Sequence, residues 1–346
     1  MHNGAQTAMM RSVESGQGNE TGDFVAVLGG LAAWPLATRA QQGGRVRRIA
    51  LLLGFPDGDV EGKAGVAAFE AGLHELGWAK GRNILIDIRW TGGVPDKTRT
   101  FAKELVNASS ELIVPTSNLV TAILQKETST IPILFVLVGD PVGSGFVTSL
   151  ARPGGNITGF AIFEAEIGGK WLEILKEIAP RVGRAGFILH PETAAHVGFL
   201  GAAKAAAPSL GIEVTALGVH TDSEIERAIA EFAAGDNRGL IVGPHAITLN
   251  NRDLIIRLAS HYRLPAVFGL RYDTTSGGLV AYGANPTRLF QQAPSYVDRI
   301  LKGTKPSELP VQFPTKYDLI INLKTARSIG LEVPPTLLAR ADEVIE

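Results

Sequence analysis

The pattern that most constrains the fold is a regular alternation of short apolar runs and amphipathic segments from Arg45 onward. The first apolar run, Arg48 to Leu53, has the length of a strand. It is followed by helical spacing from Gly62 to Leu76, with Gly77 as a helix stop. Strands that alternate with helices form parallel sheets joined by crossover helices. The sequence therefore predicts an α/β protein with mostly parallel strands.

The alternation is interrupted by a glycine- and proline-rich stretch, Asp140 to Phe160, and then starts again. About four strand–helix units lie on each side of it, and the 346 residues suffice for two lobes of ordinary domain size. The tail returns to the first lobe and then crosses to the second, which predicts a hinge of several crossings. The expected division is a separate segment over 1–44, lobe I over 45–158 and 278–305, and lobe II over 159–277 and 306–346.

Composition narrows the class of function. Hydrophobic residues make up 45% and charged residues 19%, a balance typical of globular proteins. The net charge of −1 supplies no strong field for nucleic acid or an anionic membrane, so we expect no nucleic-acid partner. The chain has no cysteine, which excludes thiolate catalysis, cysteine-based zinc sites and disulfides.

The N-terminal segment predicts export. Phe24 to Leu36 is an apolar run too short to cross a bilayer, and Thr38-Arg39-Ala40 follows it as a small-residue cleavage site. This is typical of a signal peptide and predicts a periplasmic protein. The flank is atypical, because residues 1–23 carry Arg11 against three acidic residues. A buried N-terminal helix is the alternative.

Motifs of the common α/β enzymes are missing from the sequence. The first strand is followed by Gly54-Phe55-Pro56-Asp57-Gly58, which lacks the spacing of a dinucleotide-binding loop. There is no P-loop, and Ser144, the only serine flanked by glycines, lacks the spacing of a nucleophile elbow. None of the seven histidines has a metal-ligand spacing. We therefore expect no cofactor, no metal and no catalytic residue.

Polar and aromatic side chains gather at the predicted carboxyl ends of strands, where open α/β sheets bind ligands. The candidates in lobe I are Phe55, Asp57, Thr116, Ser117, Asn118 and Asp140, and those in lobe II are His190, His245, Arg271 and Tyr272. Ser117 and Asn118 begin a helix, where free N–H groups favour a carboxylate, although helix capping explains them equally well. Asp140 either pairs with an ammonium group or stabilises a turn. A carboxylate contact and an ammonium contact together would suit an amino acid.

The remaining candidates also have two explanations. Phe55, Phe163 and Tyr272 could stack on an apolar or aromatic ligand, or could simply pack in the core. His190 and His245 each follow a strand of lobe II and either line the cleft or belong to ordinary loops.

Five ordered motifs resemble one known family. They are AAFEAGLHELGW (Ala67–Trp78), IPILFVLVGDPVGSGFVTSLARPGGNITGF (Ile131–Phe160), GGKWLEILKEIAP (Gly168–Pro180), YVDRILKG (Tyr296–Gly303) and INLKTARSIGLEVPPTLLARADEVI (Ile321–Ile345). Together they resemble the substrate-binding proteins of ABC transporters, in the group that includes tryptophan- and tyrosine-binding lipoproteins. The resemblance covers about 45–346 and specifies the family much more closely than the ligand.

The resemblance implies a type I periplasmic-binding fold, in which two Rossmann-like lobes are joined by three crossings and hold a small molecule between them. It implies a monomer without catalytic activity that docks on a membrane permease driven by an ATPase. Thr158 and Phe160, near the first crossing, are then expected to touch ligand or to act as hinge. The segment Trp34 to Gln42 resembles the signal segments of this group, and the missing lipobox cysteine excludes a lipoprotein anchor.

Departures from the family concern the expected site. Relatives often have Gly-Thr in place of Ser117-Asn118 and Asn-Pro in place of His190-Pro191, so the ligand could differ. Pro294 replaces a common alanine.

Two other classes of function stay open. A ligand-sensing regulatory domain uses the same fold but needs a DNA-binding or signalling module, and residues 1–44 contain no helix-turn-helix pattern. An α/β enzyme is the third interpretation.

Overall fold

The computed structural model describes residues 46–346, so the predicted signal segment lies outside the described residues. Two sheets account for all the named strands. The first sheet has five parallel strands in the order β2-β1-β3-β4-β5. They are β1 (Arg47–Leu53), β2 (Ile84–Trp90), β3 (Leu112–Pro115), β4 (Ile133–Gly139) and β5 (Ile157–Phe163). Five consecutive residues of β1, 49–53, are fully buried, as expected for a strand covered on both faces.

The second sheet has seven strands in the order β12-β11-β10-β9-β8-β6-β7. They are β6 (Arg184–Leu189), β7 (Glu213–Gly218), β8 (Arg238–Val242), β9 (Ala266–Phe268), β10 (Val280–Gly283), β11 (Asp318–Asn322) and β12 (Glu343–Ile345). Neighbouring strands are parallel except β10 and β11, which are antiparallel because the chain enters β11 from the other lobe. The prediction of an α/β fold with two parallel-sheet lobes is confirmed.

The helices of lobe I come from two distant parts of the chain. They are α1 (Val60–Glu75), α2 (Pro95–Asn107), α3 (Asn118–Glu127), α10 (Pro286–Gln292) and α11 (Pro294–Leu301). The last two pack on α1, and Gly65 makes this close approach possible, since a Cβ atom there would lie 2.6 Å from the Phe290 ring. Pro294 lies at the break between α10 and α11, as expected of a residue that disrupts a continuous helix.

The helices of lobe II are α4 (Ile167–Ile178), α5 (Ala194–Leu210), α6 (Asp222–Ala233), α7 (Ala246–Asn250), α8 (Arg252–His261), α9 (Arg271–Thr275), α12 (Leu323–Ser328) and α13 (Pro335–Leu338). A short 3-10 helix, Pro306–Glu308, lies against β5. None of the helices within residues 46–346 has the length and apolar character that crossing a membrane requires.

The chain passes between the lobes three times, after β5, after β10 and before β11. Aromatic side chains hold these crossings together. Phe163 at the end of β5 stacks on Tyr317 at 6.1 Å and meets Trp171 edge-on at 5.3 Å. Trp171 donates a hydrogen bond of 2.8 Å from Nε1 to the carbonyl oxygen of Tyr282 in β10. The three passages therefore form one packed hinge.

The lobe boundaries in the structure lie at different residues from those expected from the sequence. β5 runs to Phe163 and pairs with β4, so lobe I extends beyond 158. β10 pairs with β9 and β11 and so belongs to lobe II. The stretch 309–312 lies along β5, where Gln312 exchanges hydrogen bonds with Gly159 and Ala161. Ladder partners come from distant parts of the chain, so local patterns did not locate these boundaries.

Candidate functional site

A cavity of about 200 Å³ lies where the carboxyl ends of the two sheets face each other. Lobe I lines it with the turn after β1, the start of α1, the turn between β3 and α3 and the end of β4. Lobe II contributes the start of α5, the loop and helix after β8, and the starts of α8 and α9. The volume is below the range of about 300–1,000 Å³ typical of ligand pockets, so the cavity suits a small solute.

Arg252, the first residue of α8, is the cation of the cavity. Its guanidinium lies 5.6 Å from the centre of the Tyr272 ring, and its side chain is 24% exposed. The Nε atom is buried and has no hydrogen-bond partner among the described residues, with a carboxylate oxygen of Asp253 at 3.6 Å. The side chain as a whole is partly exposed and lines the cavity, so the guanidinium is placed to bind a carboxylate of a solute.

Two carboxylates line the cavity from lobe I. Asp59 precedes α1, and its Oδ1 accepts a hydrogen bond of 2.7 Å from the N–H group of Gly62. Glu61 lies in the first turn of the same helix. A carboxylate at a helix N-terminus is stabilised by the helix dipole, and each retains oxygen atoms that can accept bonds from an ammonium group.

A third carboxyl group lies behind the cavity wall. Asp273 is 6% exposed, and burial raises its pKa to about 7, an effect that the nearby Arg252 opposes. Burial thus favours the neutral form of this carboxyl group, which weakens its neutralisation of the Arg252 cation. The cavity thus has a cationic side in lobe II and an anionic side in lobe I.

The rest of the cavity wall is mostly apolar. Phe55, Phe163, Phe199 and Tyr272 line it together with Leu137 and Ile162. The rings of Phe163 and Phe199 meet edge-on with centres 6.2 Å apart. Leu137 adopts a φ of 63° at an irregularity in β4, where pairing with β5 shifts register. Such a wall suits an apolar or aromatic side chain.

The cavity has an unusual backbone position at Ser117. This residue caps α3 and has φ 74° and ψ 158°, a region that is populated almost only by glycine. Its Oγ accepts a long hydrogen bond of 3.5 Å from the N–H group of Val120. Asn118 is held by β4, since its Oδ1 accepts a bond of 2.9 Å from the N–H group of Gly139 and its Nδ2 donates one of 2.7 Å to the Gly139 carbonyl. The turn before α3 is therefore fixed against the end of β4.

Two histidines line the lobe II side of the cavity, His196 buried and His245 partly buried. His196, at the start of α5, accepts a hydrogen bond of 2.8 Å at Nδ1 from the N–H group of His190, and its Nε2 lies 3.2 Å from the Pro244 carbonyl. These partners place the proton on Nε2. Burial lowers the pKa of His196 to about 4 and that of His245 to about 2. Both rings are neutral at pH 7.

Seven of the thirteen residues predicted for the site line the cavity, namely Phe55, Thr116, Ser117, Asn118, Phe163, His245 and Tyr272. His190 faces an adjoining space of about 550 Å³ at the opening of the cleft. The structure places the other five elsewhere. Asp57 is exposed in the turn after β1, and Arg271 pairs with Glu343 of β12 through bonds that include Nη2 to Oε1 at 2.9 Å.

Thr158 and Phe160 lie inside lobe I. The Thr158 hydroxyl is fully buried and donates a bond of 2.6 Å to the Leu309 carbonyl, and the Phe160 ring meets that of Tyr296 at 5.0 Å. Asp140 has φ 40°, and its Oδ1 accepts a bond of 2.9 Å from the N–H group of Gly143. Of the two roles considered for Asp140, this hydrogen bond corresponds to stabilisation of a turn.

Sequence reasoning missed the cavity residues that are charged. Asp59 and Glu61 follow a predicted turn, and Arg252 lies at the start of a helix that carries no motif of a binding site. An Asp two residues before a first-turn Glu was a visible capping signal, but nothing local links it to an arginine in the other lobe. Phe199 and His196 lie within α5, whereas the candidates were chosen at the ends of strands.

Two lobes with parallel sheets, three crossings and a solute-sized cavity between the sheets define a bilobal solute-binding protein. Residues 60–345 match the family model described as ABC transporter substrate binding protein. The match covers most of the chain, which therefore belongs to this family of substrate-binding proteins.

Relatives agree with this assignment. The chain is 25% identical over 264 residues to a tyrosine-binding protein of Clostridioides difficile (strain R20291), covering 76% of each protein. A crystal structure of a conserved domain protein from Vibrio cholerae has a TM-score of 0.81 at 25% identity, over 87% of this chain and 100% of that one. An ABC domain from a pneumococcal Streptococcus, solved in complex with L-Trp, has a TM-score of 0.80 at 22% identity, over 86% and 99%. This last similarity shows a shared fold.

Proposed function

We propose that this protein is the solute-binding component of an ABC import system and captures an α-amino acid with an aromatic or branched side chain. The single observation that carries the proposal is the cavity with Arg252 on one side, Asp59 and Glu61 on the other, and aromatic rings between. A free amino acid has a carboxylate and an ammonium group on one carbon, so it requires these opposite charges in one small space. The similarity to a tyrosine-binding protein supports an aromatic ligand.

In this proposal the Arg252 guanidinium holds the ligand carboxylate, in place of the Ser117 and Asn118 contacts expected from the sequence. Asp59 and Glu61 hold the ammonium group, in place of Asp140. Phe55, Phe163, Phe199 and Tyr272 then surround the side chain. Because the charged groups belong to different lobes, the complete set of contacts forms only when the lobes are closed, and binding shifts the equilibrium toward the closed state.

The transport role follows from the family and extends to its partners. We propose that the closed monomer docks on a membrane permease driven by an ATPase and that it acts in the periplasm after export. No step of this cycle needs a bond of the solute to break, so the protein binds without catalysing a reaction.

Calorimetric titration of protein refolded free of copurified solute tests the proposal. The panel contains L-tyrosine, L-tryptophan, L-phenylalanine and L-leucine, with D-galactose as the control. We expect micromolar or tighter binding of at least one amino acid and none of galactose. Tyramine lacks the carboxylate and 3-(4-hydroxyphenyl)propionate lacks the amine, so both should bind at least tenfold more weakly than L-tyrosine if L-tyrosine is the ligand. Binding of galactose alone, or equal affinity for L-tyrosine and its two analogues, would refute the proposal.

A further inference from the structure

A cluster of histidine and glutamate side chains lies at the opening of the cleft, next to the amino-acid cavity. His190 and Glu192 follow β6, and His220 follows β7. β6 and β7 are parallel neighbours with Leu189 opposite Gly218, so their carboxyl ends bring the two loops together. Sequence spacing did not predict this cluster, because His220 is 28 residues from Glu192 and the two meet only through the sheet.

The distances within the cluster are those of hydrogen bonds and ion pairs, and they are close to the separations between the ligands of a metal ion. The Nδ1 atom of His190 lies 3.2 Å from Oε2 of Glu192, and Nε2 of His220 lies 2.9 Å from either oxygen of Glu192. All three ligand atoms lie within 4.8 Å of one another. Tetrahedral zinc with bonds of about 2.0–2.2 Å separates its ligand atoms by roughly 3.4 Å. Small rotations of side chains would therefore bring these atoms to bonding distance.

A second feature independently points to a metal. The other ring nitrogen of His220, Nδ1, lies 3.2 Å from Oε2 of Glu224. The same Oε2 accepts a hydrogen bond of 2.6 Å from the His220 backbone N–H group. Histidines that bind metal through one nitrogen usually donate the other N–H to a carboxylate, which fixes the ring and its tautomer. Glu224 is placed to do this for His220.

The cluster is open toward the cleft. The side chains of His190, Glu192 and His220 are 26%, 64% and 47% exposed. They border the space of about 550 Å³ at the opening, whose opposite wall includes Asn118, Ser144 and Phe146 of lobe I. Three protein ligands and one accessible position are the arrangement of a zinc site that also binds a water molecule or a small ligand.

We propose that His190, Glu192 and His220 bind one divalent transition metal ion, Zn²⁺ in particular, with Glu224 orienting His220 and the fourth position facing the cleft. Imidazole and carboxylate ligands suit Zn²⁺, Cu²⁺ and Ni²⁺ much better than Mg²⁺ or Ca²⁺. The site is separate from the amino-acid cavity, and it would exist whether or not that cavity binds an amino acid. A metal here would add a second binding group at the entrance of the cleft.

Zinc titration of the full-length, untagged protein in competition with a chromophoric chelator tests the proposal. We expect one equivalent of Zn²⁺ to bind with a micromolar or lower dissociation constant. Co²⁺ should give the intense visible absorption of a four-coordinate ion. Glu192→Gln and His220→Asn should each weaken binding at least tenfold, and Glu224→Gln should weaken it about 10- to 100-fold.

The matched controls are His74→Asn and His261→Asn, which change exposed histidines on α1 and α8 and should leave zinc binding unchanged. The changed side chains of the cluster are partly exposed, so circular dichroism should show folded variants throughout. Binding weaker than about 100 μM in the wild type, or equal binding in wild type, Glu192→Gln and His220→Asn, would overturn the proposal. The cluster would then be an ion-pair network only.

Discussion

Asn250 of lobe II donates a hydrogen bond of 2.8 Å from Nδ2 to the carbonyl oxygen of Gly92 in lobe I. The bond spans the cleft at the end of α7, close to the cavity. Gly93 lies beside it, and a Cβ atom at that position would come within 2.4 Å of the Ala246 Cβ. This close approach and the Asn250 bond mark a closed arrangement of the lobes.

Replacing Asn250 by Ala should weaken closure. A hydrogen bond contributes about 0.5–1.5 kcal/mol net, so solute affinity should fall roughly 2- to 10-fold. Small-angle scattering of the saturated protein should show a larger radius of gyration, which measures closure itself. Asn251→Ala is the matched control, because Asn251 donates to Ile247 within lobe II at 3.0 Å. Unchanged affinity and scattering in Asn250→Ala would show that the bond does not hold the lobes.

Arg252→Met should remove the carboxylate contact while keeping an apolar stem against Tyr272. Hydrogen bonds to charged groups contribute about 1.5–3 kcal/mol, so affinity for the amino acid should fall at least tenfold in calorimetry. Arg257→Met, an exposed change on the same helix, should have no effect. A loss of less than twofold in Arg252→Met would remove Arg252 from the site.

Asp140→Asn should leave both affinity and stability nearly unchanged. The asparagine Oδ1 can still accept the bond from Gly143, and asparagine tolerates a positive φ. Calorimetry and thermal unfolding measure the two quantities. An affinity loss of tenfold or more would restore the ammonium role that the sequence suggested for this carboxylate.

Ser117→Gly should stabilise the protein. The φ of 74° with ψ 158° costs a side-chain-bearing residue about 1–3 kcal/mol, and the Oγ bond of 3.5 Å is too long to offset this. Ser117→Ala separates the two effects, because it removes the hydroxyl and keeps the strain. In urea unfolding, the free energy of unfolding of Ser117→Gly should exceed that of Ser117→Ala by about 1–3 kcal/mol. Equal free energies of unfolding would contradict the proposed backbone strain.

Stability should decrease below pH 6.5 because of His196. The unfolded chain takes up a proton near pH 6.5, whereas burial holds the folded pKa at about 4, so stability is lost as the pH falls through this window. From pH 7 to pH 5 this one residue should remove about 2 kcal/mol. His196→Leu should be less stable than the wild type at pH 7, since the His190 N–H group and the Pro244 carbonyl lose their partner. Between pH 7 and pH 5, however, this variant should lose less stability than the wild type. Equal losses in urea unfolding would exclude His196 as a cause.

Strands and helices were largely predictable because their signals are local. The helical pattern of 323–328, which Gly330 follows as a stop, predicts a helix with the observed bounds of α12, Leu323–Ser328, and Pro294 predicts the observed break between α10 and α11. The sequence does not predict β12, a three-residue edge strand whose pairing with β11 has no local signature. Ser223 before the apolar pattern of α6 predicts a serine cap, whereas the residue that accepts the bond from Glu224 N–H, at 3.2 Å, is Thr221.

The site was only half predictable for the same physical reason. Strand ends identified Ser117, Asn118 and Tyr272, since parallel strands present their carboxyl ends on one side. The partner of a charged residue, by contrast, depends on which distant residues the fold brings close to it. Arg271 was expected in the cleft and instead pairs with Glu343, 72 residues away, while Arg252, which was not a candidate, lines the cavity.

The packing of α10 on α1 and of β11 beside β10 dictates the order in which this chain can assemble. Lobe I lacks the packing of α10 and its Phe290 on Gly65 of α1 until residues 286–292 are available, and β10 stays an edge strand of lobe II until residues 318–345 arrive. Contacts of such long sequence separation form late in folding. Each lobe therefore completes its packing only after distant residues of the chain have been made, later for lobe II than for lobe I.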